Sequence, residues 1–92
     1  MIQHEKLYLE FIIERGVGSN DHVTSSPASY ISYLRSVSDL IRSDINPAVL
    51  RSEADISNIT RKLEGTKAPK TIRNYCSAMR QYVAFVEQMA YK

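Results

Sequence analysis

The sequence predicts an all-α fold, a compact bundle of four to five helices, on three observations. Apolar residues recur at helical spacing in four segments. Proline opens segments and glycine closes them, at Pro27, Pro47 and Pro69 and at Gly16 and Gly65. The composition, 92 residues of which 43% are apolar and one is cysteine, allows a single modest core and no intrachain disulfide. Stability must then come from helix packing, with or without a second subunit.

The first helix is expected over 2–15, ending at Gly16 before the polar stretch Gly16-Val17-Gly18-Ser19-Asn20-Asp21. Leu7, Tyr8, Leu9, Phe11, Ile12 and Ile13 spread round more than half of its circumference, leaving a polar strip of Gln3, Lys6, Glu10 and Glu14. A helix this apolar needs cover on two sides, either centrally in its own bundle or in part against a second copy of the chain. The second helix, 27–43, is capped at Ser25-Ser26-Pro27 and turns Tyr30, Ile31, Tyr33, Leu34, Val37, Leu40 and Ile41 to one face. Asn46-Pro47 restarts the chain for a short helix over 47–51. Ser52-Glu53-Ala54-Asp55 resembles a capping box with aspartate in place of glutamate, opening a helix over 53–64 that carries Ile56, Ile59 and Leu63 inward. The last helix, 69–90, has the clearest period, through Ile72, Tyr75, Cys76, Met79, Val83, Val86 and Ala90. Tyr82, Phe85 and Met89 widen that face, and Lys70, Arg73, Ser77 and Arg80 form a polar stripe opposite.

The second and last helices share a register at an offset of 42 residues. Pro27-Ala28-Ser29-Tyr30-Ile31-Ser32-Tyr33 lies over Pro69-Lys70-Thr71-Ile72-Arg73-Asn74-Tyr75, with Val37 and Ile41 over Met79 and Val83. Two units, each a short helix followed by a long one, would be related by a pseudo-twofold. Two proline-started amphipathic helices also match this well by chance.

A net charge of +2 conceals an asymmetry. Residues 1–46 carry four basic side chains against six acidic ones, and residues 47–92 carry eight against four. An anionic partner for one face is one reading of this, and an unevenly charged solvated surface is the other.

The segment Ala68-Pro69-Lys70-Thr71-Ile72-Arg73-Asn74-Tyr75, followed by Ser77-Ala78-Met79-Arg80-Gln81-Tyr82-Val83-Ala84-Phe85-Val86, resembles the last helix of the SAM-like core-binding domain of phage integrases and other tyrosine recombinases. Leu7 to Ile13 looks like the family's opening helix and Ser26 to Ile41 like its second. Related helical modules also precede nuclease domains in some restriction-type proteins. The resemblance implies a mobile-element, DNA-recombination setting and a domain that lies across duplex DNA. Carried over by position, Lys67, Lys70, Thr71, Arg73, Asn74, Ser77 and Arg80 are the DNA-binding candidates. Lys67 and Lys70 would hold phosphate beside a helix N-terminus, and Arg73, Asn74, Ser77 and Arg80 would reach base edges. Ser29, Ser32 and Arg35 are the matching positions on the second helix, and Arg61 and Lys62 would add backbone contacts. Ala68 departs from the family's serine or threonine cap, at a cost of about 1 kcal/mol unless Thr66 or a shifted start compensates. The family's catalytic Arg, His, Arg and Tyr would lie in a further C-terminal domain, so no strand transfer is expected of a chain stopping at Lys92.

Other chemistry finds little support. His4, His22 and Cys76 lie on three separate elements without metal-ligand spacing. Cys76 shares the apolar face with Ile72 and Met79, which suits a core thiol better than a nucleophile. The pair Gly16 and Gly18 follows a helix and lacks the third glycine of a phosphate loop. No enzyme activity, cofactor, metal or small-molecule substrate is expected. No run is apolar enough for a membrane segment or signal peptide, and a reducing, cytoplasmic setting fits. The alternative to DNA binding is a protein-interaction module, in which the apolar first helix or the tyrosine-rich second one forms a homodimer or docks a larger recombinase or nuclease.

Overall fold

In the computed structural model, which describes residues 2–15 and 27–89, the chain is an all-α bundle. Its helices are α1 (Glu5–Glu14), α2 (Pro27–Ile41), α3 (Glu53–Leu63) and α4 (Pro69–Met89). The predicted loop Gly16–Asp21, the Ser25-Ser26 cap, His22 and the end of the last helix at Ala90 lie outside the described residues.

α1 begins at Glu5 and not at Ile2, because residues 2–3 are drawn into long-range contacts. Ile2 is buried and bridges Ile45. The Gln3 N–H donates to the Ile45 carbonyl at 2.7 Å, and the Gln3 carbonyl accepts the Tyr82 hydroxyl at 2.9 Å. His4, at φ 60° and ψ 30°, turns the chain from this tie into the helix. One more helical turn would have given local bonds alone, whereas the tie also buries Ile2 and Ile45 in the core.

α2 stops at Ile41, two residues short of the expected end. Arg42 adopts φ 54°, its N–H bonds to Asp39 O at 3.4 Å and the Ser43 N–H to Ser38 O at 3.1 Å. That is the paired 5→2 and 6→1 pattern of a helix terminated by a left-handed residue. The Ser38 hydroxyl, buried, donates to the Ser43 carbonyl at 2.7 Å and secures the turn.

The expected helix over 47–51 is a single turn. The Asn46 side-chain oxygen accepts the Ala48 and Val49 N–H groups, each at 2.9 Å, so the predicted cap is present. Propagation fails because the Arg51 N–H is taken by the Asp55 carboxylate at 3.0 Å. That bond is one half of the predicted capping box, displaced by one residue, while the Ser52 side chain caps no helix N–H. α3 ends as Glu64 becomes extended and Gly65 takes φ 88°, a conformation that strains any residue with a Cβ. Thr66 then closes the helix, its N–H and hydroxyl both meeting the Leu63 carbonyl, at 3.1 and 2.7 Å. Thr66 is therefore committed to α3 and leaves α4 without a side-chain cap. Ala68 only supplies the carbonyl for the Ile72 N–H.

α4 packs on all three other helices, α2 most extensively; α1 and α3 each touch α2 as well but not one another. This arrangement fits two short-plus-long units, α1–α2 and α3–α4. Tyr8, Ile12, Leu34, Val37, Leu63, Met79, Phe85 and Val86 are fully enclosed. Tyr8, Phe11, Tyr82 and Phe85 form an aromatic cluster with centroids 5.4 to 6.0 Å apart. Four residues of the predicted apolar faces are not covered. Leu7, Ile13, Leu40 and Met89 are 39 to 55% exposed, since the apolar arcs of α1 and α2 are wider than the neighbours they meet and Met89 closes the last turn of α4. Among the described residues no helix is long and apolar enough to cross a membrane.

Candidate nucleic-acid interface

α3 and α4 form an antiparallel hairpin joined by the five residues 64–68. Its register is fixed by two contacts. Thr60 Oγ1 lies 3.1 Å from Cys76 Sγ, and Arg80 Nε lies 3.7 Å from a Glu53 oxygen. Moving from the second pair to the first is moving towards the turn. Arg61 follows Thr60 on α3, and Arg73 precedes Cys76 by one turn on α4, so both cations lie within a turn of the same contact. At about 100° per residue, Arg61, Lys70, Arg73 and Ser77 fall on the outward side of the seam between the two helices. Lys67 lies in the turn, and Lys62 on the outer flank of α3, where Asn58, Arg61 and Lys62 line a shallow hollow.

Residues 61–73 thus hold Arg61, Lys62, Lys67, Lys70 and Arg73, with Glu64 the one acid among them. All five cations are exposed. Among the described residues none of the five is in an ion pair, whereas Arg35 pairs with Glu5 and Arg80 with Glu53. The backbone concentrates these charges because a short turn folds the basic end of α3 against the basic start of α4. Arg61 and Lys62 also face the carbonyl end of the α3 dipole, which favours them there.

The other candidates are not gathered at this end. Arg80 lies about 15 Å along α4 from Lys70, by the helical rise, and is shared with Glu53; both side chains are largely exposed. The Ser77 hydroxyl is directed back to the Arg73 carbonyl at 3.2 Å. Thr71 is half-buried and sits about 160° round α4 from Arg73, off the outward stripe. Asn74 is half-buried on the flank of α4. Arg35 faces away from the hairpin. Its guanidinium makes two parallel bonds to Glu5, 3.1 and 3.0 Å, which raise its already high pKa.

The two ion pairs are a pattern the sequence reading missed. In each half, the first residue of the short helix, Glu5 or Glu53, meets an arginine of the following long helix. The 42-residue register would have put Ser77 where Arg80 stands, so the alignment alone concealed it.

Cys76 is half-buried against Thr60. Among the described residues no group of histidine, cysteine, aspartate and glutamate could hold a metal ion. A second surface feature lies at the far end of the bundle, a shallow hollow lined by Leu7, Phe11 and Met89 with Glu10, Glu14 and Gln88 around it. The Arg15 guanidinium stands over the Phe11 ring there, 5.1 Å from its centroid.

The fold and surface define a small helical bundle with one cationic end. No protein-family model matches the chain, and no curated protein or solved structure is significantly similar to it.

Proposed function

We propose that the chain is a non-catalytic module that binds duplex DNA through the basic α3–α4 hairpin, in the manner of a core-binding domain of a tyrosine recombinase. The observation that carries this reading is the group of five exposed cations at 61–73, unpaired among the described residues and opposed by Glu64 alone. Concentrating like charge at one end destabilises a small domain by self-repulsion, and a polyanion relieves it. Each phosphate engaged also releases condensed counterions, which makes such binding favourable at low salt. The paired starts of α2 and α4 at Pro27 and Pro69, and the contact between Tyr33 and Tyr75, fit the 42-residue register of the two helices.

Electrophoretic retardation of a mixed-sequence duplex at low salt tests this. Binding at micromolar protein is expected, with a log K against log salt slope near −3 to −4 for about four phosphate contacts. No retardation at tens of micromolar removes the reading.

The alternative, a protein-interaction module acting through α1 as a homodimer or by docking a recombinase or nuclease, is favoured by the exposure of Leu7 (41%) and Met89 (42%) beside the α1–α4 hollow. Light scattering over a dilution series addresses the homodimer. A mass that stays monomeric throughout excludes it.

A further inference from the structure

Reading base sequence with a helix requires that helix to enter the major groove, about 12 Å wide. The outward face of α4 is not a projecting ridge. α3 lies beside it along the seam fixed by Thr60–Cys76 and Glu53–Arg80. Two such helices, each about 10 Å across with side chains, present a face about 20 Å wide, which a groove does not admit. On that face the Ser77 hydroxyl turns back to the Arg73 carbonyl, and Arg80 stands 3.7 Å from Glu53 in a largely exposed pair. What remains for a nucleic acid is the turn end of the hairpin, where Arg61, Lys62, Lys67, Lys70 and Arg73 are free among the described residues. Lysine ammonium groups are point charges suited to phosphate, and three of the five are lysines.

We infer that this end recognises the phosphate backbone of duplex DNA without reading its sequence, the α3–α4 turn serving as a clamp for phosphates on either side of a groove. The inference rests on the DNA-binding reading and sharpens it. Arg61, Lys62, Lys67, Lys70 and Arg73 supply the affinity, and Arg73, Asn74, Ser77 and Arg80 supply no base discrimination. With α3 lying along its flank, α4 cannot carry these side chains to the depth in the groove that bidentate base contacts need.

The test is a fluorescence-anisotropy titration of the full chain with a labelled random-sequence 20-base-pair duplex, competed by unlabelled A·T-only, G·C-only and mixed duplexes. The expected result is equal competition within about threefold. Lys70→Ala and Arg73→Ala should each weaken binding to every duplex alike and reduce the salt slope by about 1. Arg80→Ala should change neither affinity nor competition. Because all three side chains are exposed, circular dichroism of each variant should match that of the parent. A competitor preferred tenfold or more, or a preference altered by Arg73→Ala or Arg80→Ala, overturns the inference while leaving DNA binding intact. Binding that survives Lys70→Ala and Arg73→Ala together overturns the assignment to this end. No binding to any duplex refutes the DNA reading itself.

Discussion

The rings of Tyr33 and Tyr75 meet with centroids 6.0 Å apart and planes inclined at 57°, and each residue stands six positions after the proline that opens its helix. Residues equivalent in the two halves touch one another where α2 crosses α4, as they must if a pseudo-twofold passes between these helices. Tyr75→Ala should destabilise the fold by about 3 kcal/mol, the range for losing a large buried aromatic. In a double-mutant cycle with Tyr33→Leu and Tyr75→Leu, denaturant unfolding should return a coupling of about 0.5–1.5 kcal/mol. A coupling of zero would mean that the rings pack independently.

Arg42 holds φ 54° where helices ordinarily place glycine. Left-handed backbone costs a non-glycine residue about 1 kcal/mol. Arg42→Gly should therefore raise the urea midpoint, with a gain of up to about 1 kcal/mol and an unchanged m-value. A lower midpoint would indicate that the arginine side chain contributes more than the strain costs.

α4 begins without a side-chain cap, because Thr66 serves the Leu63 carbonyl and Ala68 has nothing to offer. Ala68→Ser should add about 1 kcal/mol, measurable by thermal unfolding. The same substitution carries no charge, so DNA affinity should be unaffected.

Tyr8 makes stability fall at alkaline pH. Its phenol is fully enclosed and donates to the Ala78 carbonyl at 3.1 Å. Burial, with smaller contributions from Tyr30 and Tyr82, raises its pKa far above the ordinary tyrosine value. Above about pH 10 the unfolded chain loses the proton and the folded one keeps it. Unfolding then releases a proton, and stability, fully present below about pH 10, declines by about 1.4 kcal/mol per pH unit. Tyr8→Phe should lower stability at neutral pH by about 1 kcal/mol and flatten the alkaline decline by one proton. An identical slope in the variant would locate the alkaline sensitivity elsewhere.

The helices were legible in the sequence where period and punctuation agreed. Pro27 and Pro69 begin α2 and α4, Gly65 follows α3, and Ile56, Ile59 and Leu63 are buried as their spacing predicts. What could not be read locally was set by distant partners. Ile45 and Tyr82 hold residues 2–3 out of α1, and Asp55 takes the Arg51 N–H that a helix over 47–51 needed. The same limit applies to the surface. Helical phase put Lys70, Arg73, Ser77 and Arg80 on one stripe, but it gave no sign that Glu53 would meet Arg80. Nor could it bring Arg61 and Arg73 within a turn of one contact, Thr60–Cys76, which depends on how tightly 64–68 turns.

The most direct test of the central claim, that the α3–α4 turn end is the DNA-binding surface, is a backbone amide NMR titration with a mixed-sequence duplex at low salt. The largest shift changes should fall on residues 61–73, with little change along α1 at Leu7–Glu14 or at Gln88 and Met89. Changes concentrated on α1 and the end of α4, or no changes at saturating duplex, would contradict it.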